Sequence, residues 1–219
     1  MTRRRHNRFG PFVIGLTGSI AMGKSTAAAM IRGLGIPVFD SDAAVHALTQ
    51  PKSATVGEIA KRFPGTVRDG ILDRQALGRA VFSDPAALRA LEAILHPRVR
   101  RKRQVWLATQ TRGRRAIVAY DIPLLFETGG QHDCDAVWVV SAPDFLQRQR
   151  ALRRPGMTPE KLAGALARQM PDIEKRARAD LVLPTGIGKR ETLRRIATAV
   201  RVIKQRQTLV AFMRQSSHA

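Results

Sequence analysis

The clearest chemistry in the chain lies in the run Gly18-Ser19-Ile20-Ala21-Met22-Gly23-Lys24-Ser25, which fits G-x-x-x-x-G-K-[ST] at every specified position. Glycines let a backbone curl until successive N–H groups converge on phosphate oxygens. Lys24 adds a mobile cation for the β and γ phosphates of a nucleotide, and the Ser25 hydroxyl suits a Mg²⁺ ion. The helix expected to follow turns its positive end toward the same anion. The candidate nucleotide-binding residues are therefore Gly18, Ala21, Met22, Gly23, Lys24, Ser25 and Thr26. Chance gives such a match in roughly one chain in a hundred of this size. Here the match also stands between an apolar run and a helix-forming run, as the loop requires.

A phosphate loop does not name a reaction, because switches, motors and kinases share it. The acids narrow the choice. Asp40, Asp42 and Asp121 each follow an apolar run of strand length, and in an open α/β sheet ligands sit at the carboxyl ends of the strands. Asp121 is placed to hold Mg²⁺, directly or through water. Asp40 and Asp42 are equal candidates for the carboxylate that takes the proton from an attacking hydroxyl. The plain alternatives are a turn-initiating Asp121 and an Asp42 that caps a helix, and capping does not exclude catalysis.

A third group is basic. Arg148, Arg150, Arg153 and Arg154 crowd one helix end before Pro155-Gly156, and a second helix follows. A helix, basic turn and helix in this position suit a lid whose arginines neutralise charge on a transferring phosphoryl group. Spacing does not say which of them point inward; an exposed basic face is the ordinary fate of such arginines.

The elements that must position these groups are legible as alternation. Strands are expected at Phe12–Thr17, Ile36–Phe39, Ala116–Tyr120, Ala136–Val140 and Leu181–Leu183. Helices are expected from Gly23 to Gly33, with Gly35 closing, from Asp144 to Arg154, from Thr158 toward Met170, and from about Lys189 to Met213. The last of these carries Leu193, Ile196, Ala197, Val200, Ile203 and Val210 on one stripe. Alternating strands and helices predict a parallel sheet covered on both faces. Residues 42–112 lack strand-like alternation and read as helical, with turns at Gln50-Pro51, Phe63-Pro64-Gly65 and Asp69-Gly70. Ser83-Asp84-Pro85 starts one helix in this stretch, and a basic helix runs from about Pro97 to Thr111. Residues 1–11 read as a flexible basic tail.

Composition bounds the rest. The 219 residues include 38 Lys and Arg against 17 Asp and Glu, a formal charge of +21, with 44% hydrophobic residues. That apolar share is ordinary for a globular chain and argues against wholesale disorder. No run approaches the ~18 apolar residues of a membrane span, and the basic start lacks the apolar stretch of a secretory leader. The lone cysteine, Cys134, forms no internal disulfide, fits a reducing cytosol, and reads as a small apolar residue. The charge admits either a nucleic-acid binder or an enzyme for polyanions. Aromatic residues at 5% speak against a single-strand binder. Eight of the 38 basic residues are site candidates: Lys24, Arg98, Arg100, Arg148, Arg150, Arg153, Arg154 and Arg168.

With these residues in place, the sequence resembles the dephospho-CoA kinase family from about Val13 to about Ile203. The markers run in order: Ile14-Gly15-Leu16-Thr17-Gly18 before the phosphate loop, Asp40-Ser41-Asp42 with His46, Leu91-Glu92-Ala93-Ile94-Leu95-His96-Pro97, Asp121-Ile122-Pro123-Leu124-Leu125-Phe126-Glu127, Gln147 with Arg150 and Arg154, Gln169-Met170, and Ala179-Asp180. The resemblance implies an α/β, three-layer fold of the P-loop NTPase type. Its five-stranded parallel sheet has the order 2-3-1-4-5, with a helical substrate-binding insertion and a lid. It implies a nucleotide-binding core over 12–45, 115–145 and 179–213, a CoA-binding domain over 46–114, and a lid over 146–178. The implied reaction moves the γ-phosphoryl group of ATP, with Mg²⁺, to the ribose 3′-hydroxyl of dephospho-CoA. Carried over by position, Asp42 is the general base, Lys24 and Arg150 stabilise phosphoryl charge, and Arg154 contacts nucleotide. Asp40, His46, His96, Pro123, Leu124, Leu125 and Phe126 line the acceptor site, and Ser25 and Asp121 serve the metal. The expected setting is a cytoplasmic monomer with neither a membrane nor a specific nucleic-acid partner. Ser19 and Ala21 stand where the family usually has glycine, Ala165 where it often has Arg, and Pro184-Thr185-Gly186 where it often has Asn near the adenine.

The competing readings are another small-molecule kinase, of the nucleoside monophosphate type, and a nucleic-acid-binding NTPase supported by charge alone. If Asp42 accepts the proton, Asp42→Asn retains ATP binding and loses phosphoryl transfer by on the order of a hundredfold or more. Parallel ATP titration and product formation check this.

Overall fold

A computed structural model describes residues 10–82 and 84–216, with the side chains of 82 and of 206–216 left aside. Most of the expected tail, with Arg3-Arg4-Arg5, lies outside the described residues, as do Ser83 and the side chain of Val210. The chain divides into two compact units, residues 1–39 with 110–219 and residues 40–109.

The larger unit is built on a five-stranded parallel sheet. Its strands are β1 (Phe12–Thr17), β2 (Val38–Asp40), β5 (Ile117–Asp121), β6 (Ala136–Ser141) and β7 (Leu181–Pro184), in the order β2-β5-β1-β6-β7. Counted along the chain, that is the expected 2-3-1-4-5. β1 is central, with Val13 beside Val118 of β5 and Leu16 beside Trp138 of β6. Side chains alternate between the sheet faces. Ile14 and Leu16, Ile117 and Ala119, Trp138 and Val140, and Leu183 therefore share one face. They pack with Ala27, Ala28 and Ile31 of α1 (Lys24–Gly33) and with Ile196 and Val200 of α9 (Lys189–Ser216). On the opposite face, Gly15 leaves room for Cys134, whose Sγ would lie 2.7 Å from any Cβ there. Cys134 is buried and in no disulfide, as expected of a small apolar residue.

The smaller unit has α2 (Ser41–Leu48), α3 (Ala54–Arg62), α4 (Arg74–Phe82) and most of α5 (Pro85–Arg112). Ile59, Phe63, Leu77, Leu91 and Ile94 form its core. Two features depart from expectation. A hairpin, β3 (Val67–Arg68) with β4 (Ile71–Leu72), interrupts the helices. Its turn, Asp69-Gly70, has φ of 50° and 76°, the pair of positive angles that a two-residue hairpin needs. Strands of two residues are too short to show alternation, so only the turn was legible. Second, no helix begins at Pro97, which lies inside the continuous α5. Proline removes one helical N–H; near that break the Ile94 carbonyl accepts from the Arg98 guanidinium at 2.6 Å.

The rest of the larger unit comprises α6 (Asp144–Leu152), α7 (Pro159–Ala167) and α8 (Asp172–Arg178). Thr158 caps α7 through the Lys161 N–H. The sequence reading did not separate α8, whose seven residues are too few for a periodic stripe. Leu193 is also corrected: it is exposed. The inward position belongs to Thr192, which is 2% exposed and donates to the Pro184 carbonyl at 2.8 Å. Beside it, Glu191 is held down to about pKa 2 by Arg194 first and then Arg195.

Its folded pKa lies below the unfolded one. The stability that Glu191 confers is therefore present above about pH 4.5 and lost as pH falls toward about 2. Glu191→Gln flattens that part of the acid-unfolding profile, read by circular dichroism against pH.

Candidate active site

The phosphate loop links β1 to α1. Gly18 is required by space: a Cβ there would lie 2.3 Å from Val140 Cγ2 and 2.8 Å from Val140 O. Gly23 takes φ 89° as the N-cap of α1. It has no capping side chain, so the first N–H groups of the helix are left for an anion. Ala21 is at φ 60°, a left-handed angle that costs a non-glycine residue about 1–2 kcal/mol. Its methyl is buried against Ala151 and Leu162, which offsets part of that cost. The Met22 N–H is taken by Ser19 O at 3.1 Å, and its sulfur accepts from the Ala142 N–H. Met22 thus shapes the loop rather than lining it.

Lys24 is not on a freely solvated loop. Its ammonium is ion-paired with Asp121, the last residue of β5, and the two side chains are only 16% and 7% exposed. Ser25 and Thr26 are exposed in the first turn of α1. The structure therefore brings Lys24, Ser25 and Asp121 to the carboxyl ends of neighbouring strands β1 and β5.

The family model for dephospho-CoA kinases matches residues 12–188. The chain belongs to the dephospho-CoA kinase family. It is 57% identical over 184 residues to a dephospho-CoA kinase of Rhodospirillum rubrum, covering 83% of this chain and 87% of that one. Among solved structures, a Thermus thermophilus protein, TT1252, superposes with a TM-score of 0.78 at 40% identity. That match covers 88% of this chain and 97% of the other. The dephospho-CoA kinase of Campylobacter jejuni shares the fold, with a TM-score of 0.59 at 23% identity over 87% and 96% of the two chains. The chain is accordingly a kinase.

Among the arginines that follow β6, Arg150 reaches the loop's surroundings. It donates to the Thr185 carbonyl at 2.8 Å and to the Thr185 hydroxyl at 3.3 Å, and that hydroxyl donates to the Met22 carbonyl at 2.6 Å. Arg148, Arg153, Arg154 and Arg168 are exposed. In the smaller unit, Asp40, not Asp42, caps α2 by accepting from the Ala43 N–H at 2.9 Å. Asp42 is exposed in the first helical turn, and among the described residues no hydrogen bond occupies its carboxylate. His46 Nδ1 lies 2.8 Å from Arg74 Nη2, which also donates to Thr49 Oγ1. Arg74 was missed, because two turns and a hairpin separate it from His46. Asp73 caps the helix that carries Arg74. The Ala76 N–H, followed by that of Gln75, holds its carboxyl below the usual range. His96 is exposed in the interior of α5.

The Pro123–Phe126 segment splits by burial. Leu125 is fully buried and Phe126 nearly so, while Pro123 and Leu124 are half-buried and retain surface. Leu125 and Phe126 are thus core residues that hold Pro123 and Leu124 in place, with the Thr17 hydroxyl bonded to the Pro123 carbonyl at 3.0 Å. Glu127, the last residue of the Asp121–Glu127 block, has a structural part that its neighbours in sequence do not signal. Its Oε1 accepts from the Met170 N–H at 2.8 Å and pairs with Lys175, which is 0% exposed, at 2.9 Å.

The buried pairing of Lys24 sets what its removal does. Lys24→Ala leaves the Asp121 carboxylate without that cation and lowers unfolding stability by about 2 kcal/mol, in addition to its catalytic loss. Lys24→Ala with Asp121→Asn recovers part of it. Urea unfolding without ligand measures both.

Proposed function

We propose that the chain transfers the γ-phosphoryl group of ATP to the ribose 3′-hydroxyl of dephospho-CoA. The observation that carries this reading is the uncapped start of α1 beside the Lys24–Asp121 pair, in a chain that its kinase family matches over residues 12–188. The backbone N–H groups of the loop hold the nucleotide phosphates, and Lys24 exchanges its carboxylate partner for phosphate oxygens. Asp42 accepts the proton as the 3′-oxygen attacks; the new O–P bond forms, the bridging O–P bond breaks, and ADP leaves. Asp42 suits this role because Asp40 does the capping and leaves the Asp42 carboxylate available. Arg150 stabilises the transferring charge, with Arg154 beyond it on the lid formed by residues 146–178. His46, His96, Pro123 and Leu124 contact the acceptor.

Ser25 and Asp121 present hard oxygen donors, a hydroxyl and a carboxylate, which fit Mg²⁺. These two residues would hold it. When bound, the ion would neutralise charge on the nucleotide phosphates. We further read the protein as a monomer, and as one of a reducing cytoplasm, the latter supported by its lone buried thiol. Among the described residues no helix is long and apolar enough to cross a membrane.

An ADP-release assay with dephospho-CoA, AMP, CMP and shikimate as acceptors tests the reading. Turnover is expected with dephospho-CoA alone; turnover with AMP and none with dephospho-CoA replaces it with a nucleoside monophosphate kinase.

A further inference from the structure

Two carbonyls of the phosphate loop are held by side chains from remote parts of the chain. The Ile20 carbonyl accepts from Gln147 Nε2 at 2.9 Å, across 127 positions of sequence. The Met22 carbonyl accepts from Thr185 Oγ1 at 2.6 Å, across 163 positions. Among the described residues no peptide bond is cis. In a planar trans peptide the carbonyl and the following N–H point in opposite directions. Fixing the Ile20 carbonyl therefore aims the Ala21 N–H, and fixing the Met22 carbonyl aims the Gly23 N–H. These are the two loop residues with positive φ, at 60° and 89°, and left-handed residues alternating with ordinary ones turn their N–H groups into an anion-binding concavity.

The other loop donors fit the same division. The Ile20 N–H is spent on Gln169 Oε1 at 2.9 Å, and the Met22 N–H on Ser19 O. Gln147 is 5% exposed and holds one orientation on the buried side of the loop. Thr185 is fixed in turn. Its N–H donates to Ser141 O at 2.8 Å, and Arg150 donates to both its carbonyl and its hydroxyl. A hydroxyl has one proton, and the 2.6 Å bond to Met22 takes it over the 3.2 Å approach to Ser141 O.

We propose that Gln147 and Thr185 are positioning residues for phosphoryl transfer: by holding the Ile20 and Met22 carbonyls, they aim the Ala21 and Gly23 N–H groups at the phosphates of a bound nucleoside polyphosphate. This rests on the nucleotide reading above. It gives the Pro184-Thr185-Gly186 segment a task different from contacting the base, and it joins the end of β7 and the lid helix α6 to the loop.

The test uses the full chain. Thr185→Val removes the hydroxyl proton at nearly constant volume, Thr185→Ser retains it, and Gln147→Met removes the amide donor at similar length. The readouts are ADP affinity by calorimetry, KM for ATP and for dephospho-CoA, and the thermal midpoint without ligand. Thr185→Val and Gln147→Met are each expected to weaken ADP by about tenfold, the size of one lost hydrogen bond, and to raise KM for ATP in step. KM for dephospho-CoA stays put, and Thr185→Ser restores ADP binding. ADP affinity unchanged in both variants overturns the proposal. So does a rise of both KM values together, or a Thr185→Ser as weak as Thr185→Val. Should Thr185→Val not fold, Gln147→Met and Thr185→Ser decide. ADP binding needs no acceptor, so a wild type that binds ADP without turning over dephospho-CoA refutes the acceptor reading alone.

Discussion

A loop that grips phosphate must keep its N–H groups unspent, and a loop with unspent N–H groups cannot fix its own shape. The rest of the larger unit answers that constraint. Gly18 lets the loop lie against Val140, Ala21 and Gly23 supply the left-handed turns, and the surplus polar groups are taken from outside by Gln147, Gln169, Thr185 and the Ala142 N–H. Because those partners sit on α6, on the segment after α7, and at the ends of β6 and β7, the loop's geometry depends on elements that come more than a hundred residues later in the chain. The strain at Ala21 persists because so many contacts over-determine it.

The same economy governs the charged groups. Lys24 and Asp121 satisfy one another in a largely buried position, where either alone costs more than at the surface. Glu127 does comparable duty one segment on, accepting from Met170 and pairing with buried Lys175. It thereby ties the Pro123–Phe126 stretch to α8, and through Met170 to the residue next to Gln169. The site is carried by a few paired charges at strand ends, and not by the overall positive field. The surplus of cations is visible locally where one acid serves two guanidinium groups, as Glu191 does for Arg194 and Arg195. Most of the +21 charge is thus arginine-rich surface, whose benefit is general attraction of polyanionic substrates.

The strand order and the kinase family came from the resemblance to a known family; by itself the sequence determined the parallel sheet, the phosphate loop and the acids at the strand ends. These follow from local signals: continuous apolar runs for doubly covered strands, a glycine-lysine spacing for a phosphate cradle, and aspartates where those runs stop. Only the tertiary structure decided which residues serve the loop from afar. Gln147 and Thr185 lie 127 and 163 positions from the carbonyls they hold, and nothing in a glutamine's or a threonine's neighbours announces such a partner. It also decided that Asp40 and not Asp42 caps α2, that Pro97 lies within α5, that Leu125 is core, and that Lys24 is paired. Each of those outcomes depends on which groups compete for one hydrogen bond or one buried volume, and that competition exists only after distant segments have been folded against each other.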